Sequence, residues 1–266
     1  MQPSHPLERR QRSLRLEAVV LKHADWGEAD RLVWLFSREQ GKLKAVAKGA
    51  RKPRSRKAGH LEPFTRVTLQ AAKGRDLPII TQAETVEAYL PLREDLLRTT
   101  YASYVVELLD RFTYEEGEHQ GLYRLLTETL ERLCLPEQAD LCVRYYELRL
   151  LDLAGFRPQL QNCVSCGNAI QPEDQYFSAR LGGAMCPRCG SREEEATPVA
   201  LQVLKVLRHY QRSSYAEAQR LKLTATLNRQ VEALMQYYLT YVLEQKLNTP
   251  PFLRRARERD SSLRSE

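Results

Sequence analysis

From Leu14 to about Glu84, apolar residues alternate with polar ones in short runs, each closed by turn residues, as half-buried strands require. Leu16, Ala18 and Val20 share one face of a first strand, and Leu32, Trp34 and Phe36 one face of a second. Gly41 opens a third with Leu43, Ala45 and Ala47 turned inward. Val67, Leu69 and Ala71 mark a fourth, and Leu77 to Thr81, after Gly74, a fifth. Five short strands predict a small closed barrel of the oligonucleotide-binding type. After Pro91 the period lengthens to three and four. Leu97, Tyr101, Tyr104, Val105, Leu108 and Phe112 make one stripe, Leu122, Leu126, Leu130 and Leu133 another, and Leu141, Tyr145, Leu148 and Leu151 a third from a start near Pro136. These stripes are expected to face one another as a bundle. Thr197 then reads as an N-cap with Pro198 in the first turn. A closing helix carries Val231, Leu234, Met235, Tyr238 and Val242 until Asn248 and Pro250, with a charged tail from Arg254 that reads as a solvated terminus.

The expected fold class is therefore α+β: a flexible N-terminal extension over 1–13, a five-stranded oligonucleotide-binding (OB-fold) barrel over 14–88, and an α-helical domain over 89–266. Set into the helical part at about 159–194 are Cys163, Cys166, Cys186 and Cys189, in the spacing C-x2-C-x19-C-x2-C. Two paired knuckles at that separation are the pattern of a four-thiolate zinc site. Four thiolates complete a tetrahedron and leave no position for substrate, so the metal is expected to be structural. Cys134 and Cys142 lack a paired partner and read as small buried residues.

Charge adds a direction to this picture. Residues 1 to 80 hold 18 Lys and Arg against 8 Asp and Glu, a net of +10 in a chain that totals +7, which leaves −3 for residues 81 to 266. Within the basic region, the seventeen residues from Gly41 to Lys57 carry eight cations and no acid: Lys42, Lys44, Lys48, Arg51, Lys52, Arg54, Arg56 and Lys57. Cations gathered on a strand and the loop leaving it are the electrostatic footprint of nucleic-acid binding. Of the rings available to stack on bases, Trp34 and Phe36 are expected in the core, whereas Trp26, between Asp25 and Gly27, is expected to be exposed beside acids that repel phosphate.

No catalytic constellation competes. There is neither a G-x-x-x-x-G-K-[ST] phosphate loop nor a dinucleotide fingerprint, and the five histidines are scattered. The protein is therefore expected not to be an enzyme. Asp25 with Glu28, and Glu28 with Asp30, offer a metal-dependent nuclease as one alternative. An RNA-binding or transcription-associated zinc-ribbon protein is another, since barrel and knuckle serve RNA as well as DNA. No apolar run approaches the roughly 18 residues that span a bilayer, and no signal-peptide core follows the charged N-terminus, so the expected location is the cytoplasm, at the nucleoid.

Several short motifs in a shared order carry a family likeness. They are Asp25-Trp26-Gly27-Glu28-Ala29-Asp30, Gly41-Lys42 leading to Val46-Ala47-Lys48-Gly49-Ala50-Arg51, Leu61-Glu62-Pro63-Phe64, Leu150-Leu151 to Gly155-Phe156-Arg157-Pro158, and then the four cysteines. In this order the chain resembles the RecO family of bacterial DNA repair and recombination mediators, from Leu14 to Leu253. The resemblance implies binding to single- and double-stranded DNA and annealing of complementary strands. It further implies partnership with RecR in placing RecA on strands coated by single-strand-binding protein. It places the eight cations on the DNA-binding strand and loop, and the four cysteines at the metal site. The extension through Ser13 departs from the family's usual start.

Overall fold

The computed structural model describes residues 13–113, 119–135, 138–244 and 249–263. Of the expected N-terminal extension only Ser13 is among them, and it opens the first strand; Pro136 and Asn248 also lie outside the described residues. Strands β1 (Ser13–Trp26), β2 (Asp30–Ser37), β3 (Gly41–Ala47), β4 (Arg66–Ala72) and β5 (Ile79–Glu87) form a closed barrel in the order β1-β2-β3-β5-β4. All neighbours are antiparallel except β3 and β5, which run parallel where Val46 faces Ile79. Closure removes the sheet edges that would otherwise template aggregation.

The barrel is filled as alternation dictates on three strands. Leu16, Ala18 and Val20, Ala45 and Ala47, and Val67, Leu69 and Ala71 point into one core, with Leu43 packed against it. On β2 the expectation is reversed: Val33 and Leu35 fill the core, while Leu32, Trp34 and Phe36 lie on the outer face. Both faces of β2 are apolar because the outer one is itself partly covered, with Phe36 buried and stacked on His119 at 6.3 Å between centroids. The fifth strand also starts later than Leu77. Pro78 has no N–H for the ladder, so pairing with β4 begins at Ile79 and continues through a polar stretch that alternation does not flag.

Helices α1 (Pro91–Glu94), α2 (Leu96–Phe112), α3 (Gln120–Cys134), α4 (Ala139–Leu153), α5 (Pro187–Gly190), α6 (Leu201–Arg212), α7 (Tyr215–Ala218), α8 (Ala225–Val242) and α9 (Thr249–Leu263) follow. The chain divides into two compact units. One takes the described residues up to Ala102 together with Thr113–Cys134, and the other takes Ser103–Phe112 together with those from Leu135 on. The three stripes read from sequence do not make one bundle. The α3 helix belongs with the barrel, where Tyr123 donates to the Glu17 carboxylate at 3.0 Å and Glu131 faces Arg66 at 3.7 Å.

In the second unit α4 packs against α6 and α8. Its interior holds a charge pair: Arg144 and Glu147, both essentially inaccessible, approach to 2.9 Å, and Tyr104 donates to the same Glu147 oxygen at 2.5 Å. Burial pushes the Glu147 carboxyl up to about 7, against the pull of Arg144 and of the Tyr104 hydrogen bond. The C-terminal stretch read as a solvated terminus is helical, and Arg257 on α9 bridges Asp140 at 2.6 Å and Glu232 at 2.7 Å. Strands β6 (Gln175–Ser178), β7 (Gly183–Met185) and β8 (Thr197–Val199) form a small sheet in the order β7-β6-β8. Thr197 and Pro198 are thus in a strand, not a helix start. Pro198 is tolerated because β8 is an edge, and α6 begins only after Ala200.

Candidate nucleic-acid interface and metal centre

Strand β3 offers its two faces to two tasks. Leu43, Ala45 and Ala47 face the barrel core, so Lys42 and Lys44 are forced to the outer face, opposite Phe36 and Trp34 of β2. Past Ala47 the chain turns through Gly49, at φ +66, and is pinned to the β1–β2 hairpin. The Gly49 N–H donates to Asp30 Oδ1 at 2.7 Å, and the Arg51 N–H to the Ala29 carbonyl at 2.9 Å. At its far end the loop is tied to β5 by Lys57 Nζ donating to the Ile80 carbonyl at 3.0 Å, and by the Thr85 N–H donating to His60 Nδ1 at 3.2 Å. The basic segment is therefore a loop held at both ends.

The eight cations separate into three groups. Lys42 and Lys44 are half-buried on the sheet face. Lys48, Lys52, Arg54 and Arg56 are exposed on the loop, with no ion pair among the described residues. Arg51 and Lys57 serve the fold: Arg51 lies 3.2 Å from Asp25 and donates to the Glu28 carbonyl at 3.3 Å, and burial holds the Lys57 ammonium below the usual lysine range against the attraction of Asp30. Sequence reading missed two neighbours of this surface. Arg15 joins Arg56 and Lys57 around an open cavity of about 510 Å³. Lys22 emerges beside Trp34 only because an irregularity between Val20 and Lys22 resets the alternation of β1. Neither carries a local sequence signal, since both depend on which strand lies alongside. Trp26 is exposed, as expected.

The four cysteines come together. Their sulfurs all lie within 4.8 Å of one another, so the cluster could hold a metal ion. Cys166 and Cys186 are 3.9 Å apart, close to the edge of about 3.8 Å of a tetrahedron with metal–sulfur bonds of about 2.3 Å. The first knuckle turns through Gly167 at φ +76, whose N–H donates to the Cys163 carbonyl at 2.9 Å. The second is the single turn α5, where Cys189 and Gly190 both donate to the Cys186 carbonyl. Gly190 is required for space: a Cβ there would lie 2.3 Å from Tyr176 Cβ. Burial disfavours a Cys163 thiolate, but the backbone N–H groups of Cys166, Cys186 and Ser165 outweigh it and pull the thiol down to about 6. Its neighbour Cys186 pushes Cys189 up to about 11. Four thiolates this close repel one another unless a cation sits among them, which is the chemistry of a metal-binding set. Among the described residues this is the only group of three or more potential ligands. Asp25, Glu28 and Asp30 form no such group, and Asp25 and Asp30 are engaged by Arg51 and Gly49. No described helix is long and apolar enough to cross a membrane.

Comparison with known proteins agrees with this architecture. The family model described as Recombination protein O N terminal matches residues 12–89, and that described as Recombination protein O C terminal matches residues 93–251. A DNA repair protein RecO of Roseiflexus sp. is 39% identical over 92% of this chain and 86% of its own length. That of Desulforamulus reducens is 35% identical over 91% of this chain and 94% of its own length. That of Dehalococcoides mccartyi is 32% identical over 86% and 90%. With barrel, helical region and cysteine cluster all inside the aligned span, the chain belongs to the RecO family of DNA repair proteins.

Proposed function

We propose that this protein binds single- and double-stranded DNA through the outer face of β3 and the loop that follows it, and anneals complementary strands. With RecR it would help place RecA on strands coated by single-strand-binding protein, at the nucleoid in the cytoplasm. The observation that carries this reading is the set of four exposed cations with no ion pair among the described residues, Lys48, Lys52, Arg54 and Arg56, on a loop anchored at both ends beside Lys42 and Lys44. Phosphates that meet such a surface release condensed counterions, which supplies affinity without sequence preference, and neutralised strands can approach one another. Arg51 and Lys57 are proposed to shape the loop as much as to touch DNA. The four cysteines are proposed to bind zinc, which as a closed tetrahedral site crosslinks the two knuckles and takes no part in chemistry.

A fluorescence annealing assay with complementary oligonucleotides, with and without single-strand-binding protein and across a salt series, tests the reading. Pairing without ATP, weakened by salt, is expected. Shortened strands would point to a nuclease, and unaltered annealing rates would remove the mediator role.

A further inference from the structure

The basic loop joins two different sides of the barrel. It leaves β3 pinned to Asp30 at the start of β2 and arrives at β5, where Lys57 bonds the Ile80 carbonyl. There Arg56 and Lys57 meet Arg15 of β1 over the open cavity of about 510 Å³. The strand beneath it is β4, which pairs with β1 and β5 and shares no ladder with β2 or β3. Leu16, Val67, Leu69 and Ala71 fill the barrel core, so Arg15, Thr68 and Gln70 between them face outward. Arg15, Gln70 and Gln82 form one row across β1, β4 and β5. One extra residue of β5 widens this row: Gln70 faces Gln82 and Ala71 faces Ile80, which leaves Thr81 exposed beside Gln82.

The side chains around the cavity divide by task. Lys57 is committed to Ile80, and the Thr81 hydroxyl donates to the Gln70 carbonyl at 3.1 Å, so these two shape the cavity. Arg15 and Arg56 are exposed and make no ion pair among the described residues. The carboxylate that lines the cavity, Glu84, lies opposite Thr68, off the Arg15 row. Two guanidiniums suit phosphates, and each primary amide offers a donor and an acceptor to the edge of a base. In an unpaired strand the pairing edges are free to meet those amides, whereas in a duplex they are taken. We propose that this cavity is a second strand-binding site, taking phosphates on Arg15 and Arg56 and base edges on Gln70 and Gln82, while the first strand occupies the β3 side of the loop. Annealing is then an encounter between two strands held on one chain, at a far higher effective concentration than in solution. The inference rests on the annealing reading above and adds to it the place of the second strand.

The test titrates the full chain at low salt with a labelled oligonucleotide of about 10 nucleotides, read by fluorescence anisotropy well above Kd, and is expected to saturate at about two strands per chain. Arg15→Ala combined with Gln70→Ala and Gln82→Ala should lower this to about one and slow the annealing of complementary strands by roughly 10-fold. Affinity for the first strand should stay within about 2-fold, because the β3 side of the loop is intact. Gln82→Glu keeps the shape of an exposed side chain, so it does not disturb folding, and its added negative charge should reproduce both losses. Saturation of the parent at about one strand per chain, or annealing by either variant at the parent's rate, overturns the second site while leaving the basic loop in place. A loss of first-strand affinity in proportion to the loss of annealing does the same. Failure of the parent to bind any single strand at low salt overturns the DNA-binding reading and the second site with it.

Discussion

Replacing Lys48, Lys52, Arg54 and Arg56 together by Ala removes the loop cations that have no ion-pair partner among the described residues, while the anchors at Asp30, Ala29 and Ile80 stay in place. With Lys42 and Lys44, these residues give six cations on the proposed surface. At about 0.7 per neutralised phosphate on a single strand, the parent should show a log–log salt slope of about −4 and the variant one of about −1.4. Between 50 and 200 mM salt the parent should then lose about 300-fold in affinity and the variant only about 7-fold. Fluorescence anisotropy with a labelled single strand at four or five salt concentrations measures both slopes. The control is Arg51→Ala with Lys57→Ala. Their charges already face Asp25 and the Ile80 carbonyl, so this pair should shift the slope by less than about 1. A quadruple variant with the parent's slope, or a control that flattens it as far as the quadruple does, would refute the assignment.

Replacing Cys186 by Ser should leave three sulfurs where four are needed, and elemental analysis after dialysis should find the metal lost, with faster proteolysis between Gln159 and Val199; full metal content with unchanged stability would contradict a closed site. Gly190→Ala forces a methyl into the Tyr176 ring base and should lower stability by about 1–3 kcal/mol in denaturant melts; an unchanged midpoint would mean that the turn yields at no cost. Because burial raises Glu147 from 4.5 to about 7, the folded chain keeps a proton that the unfolded chain has already released over that window. The contribution of this site is thus fully present below about pH 4.5 and lost as pH rises through 7, by roughly 3 kcal/mol relative to Glu147→Gln, which has no proton to lose. Parallel pH–stability curves for the two proteins would show that Glu147 titrates normally.

Much of the site was legible in order along the chain. The cysteine spacing named the metal-binding set before any fold was known, because a pair two residues apart must turn back on itself whatever surrounds it. The basic run was equally plain, yet sequence could not separate Lys52, which has no ion pair among the described residues, from Arg51 next to it, which lies against Asp25 of β1. Thr197 and Pro198 have the chemistry of a helix start and became an edge strand, since β6 supplied a pairing partner that capping preference does not take into account.

Alternation along β1, β3 and β4 by itself determined which side chains enter the barrel, and the helical period beyond Pro91 marked α2, α3, α4 and α8, because both depend only on the repeat of a single element. Tertiary structure alone decided which apolar face of β2 turns inward, that Lys22 stands beside Trp34, and that α3 joins the barrel unit and not a three-helix bundle. Those outcomes are set by register and by partners distant in sequence. A periodic pattern states that a face is to be covered, and only the assembled chain supplies what covers it.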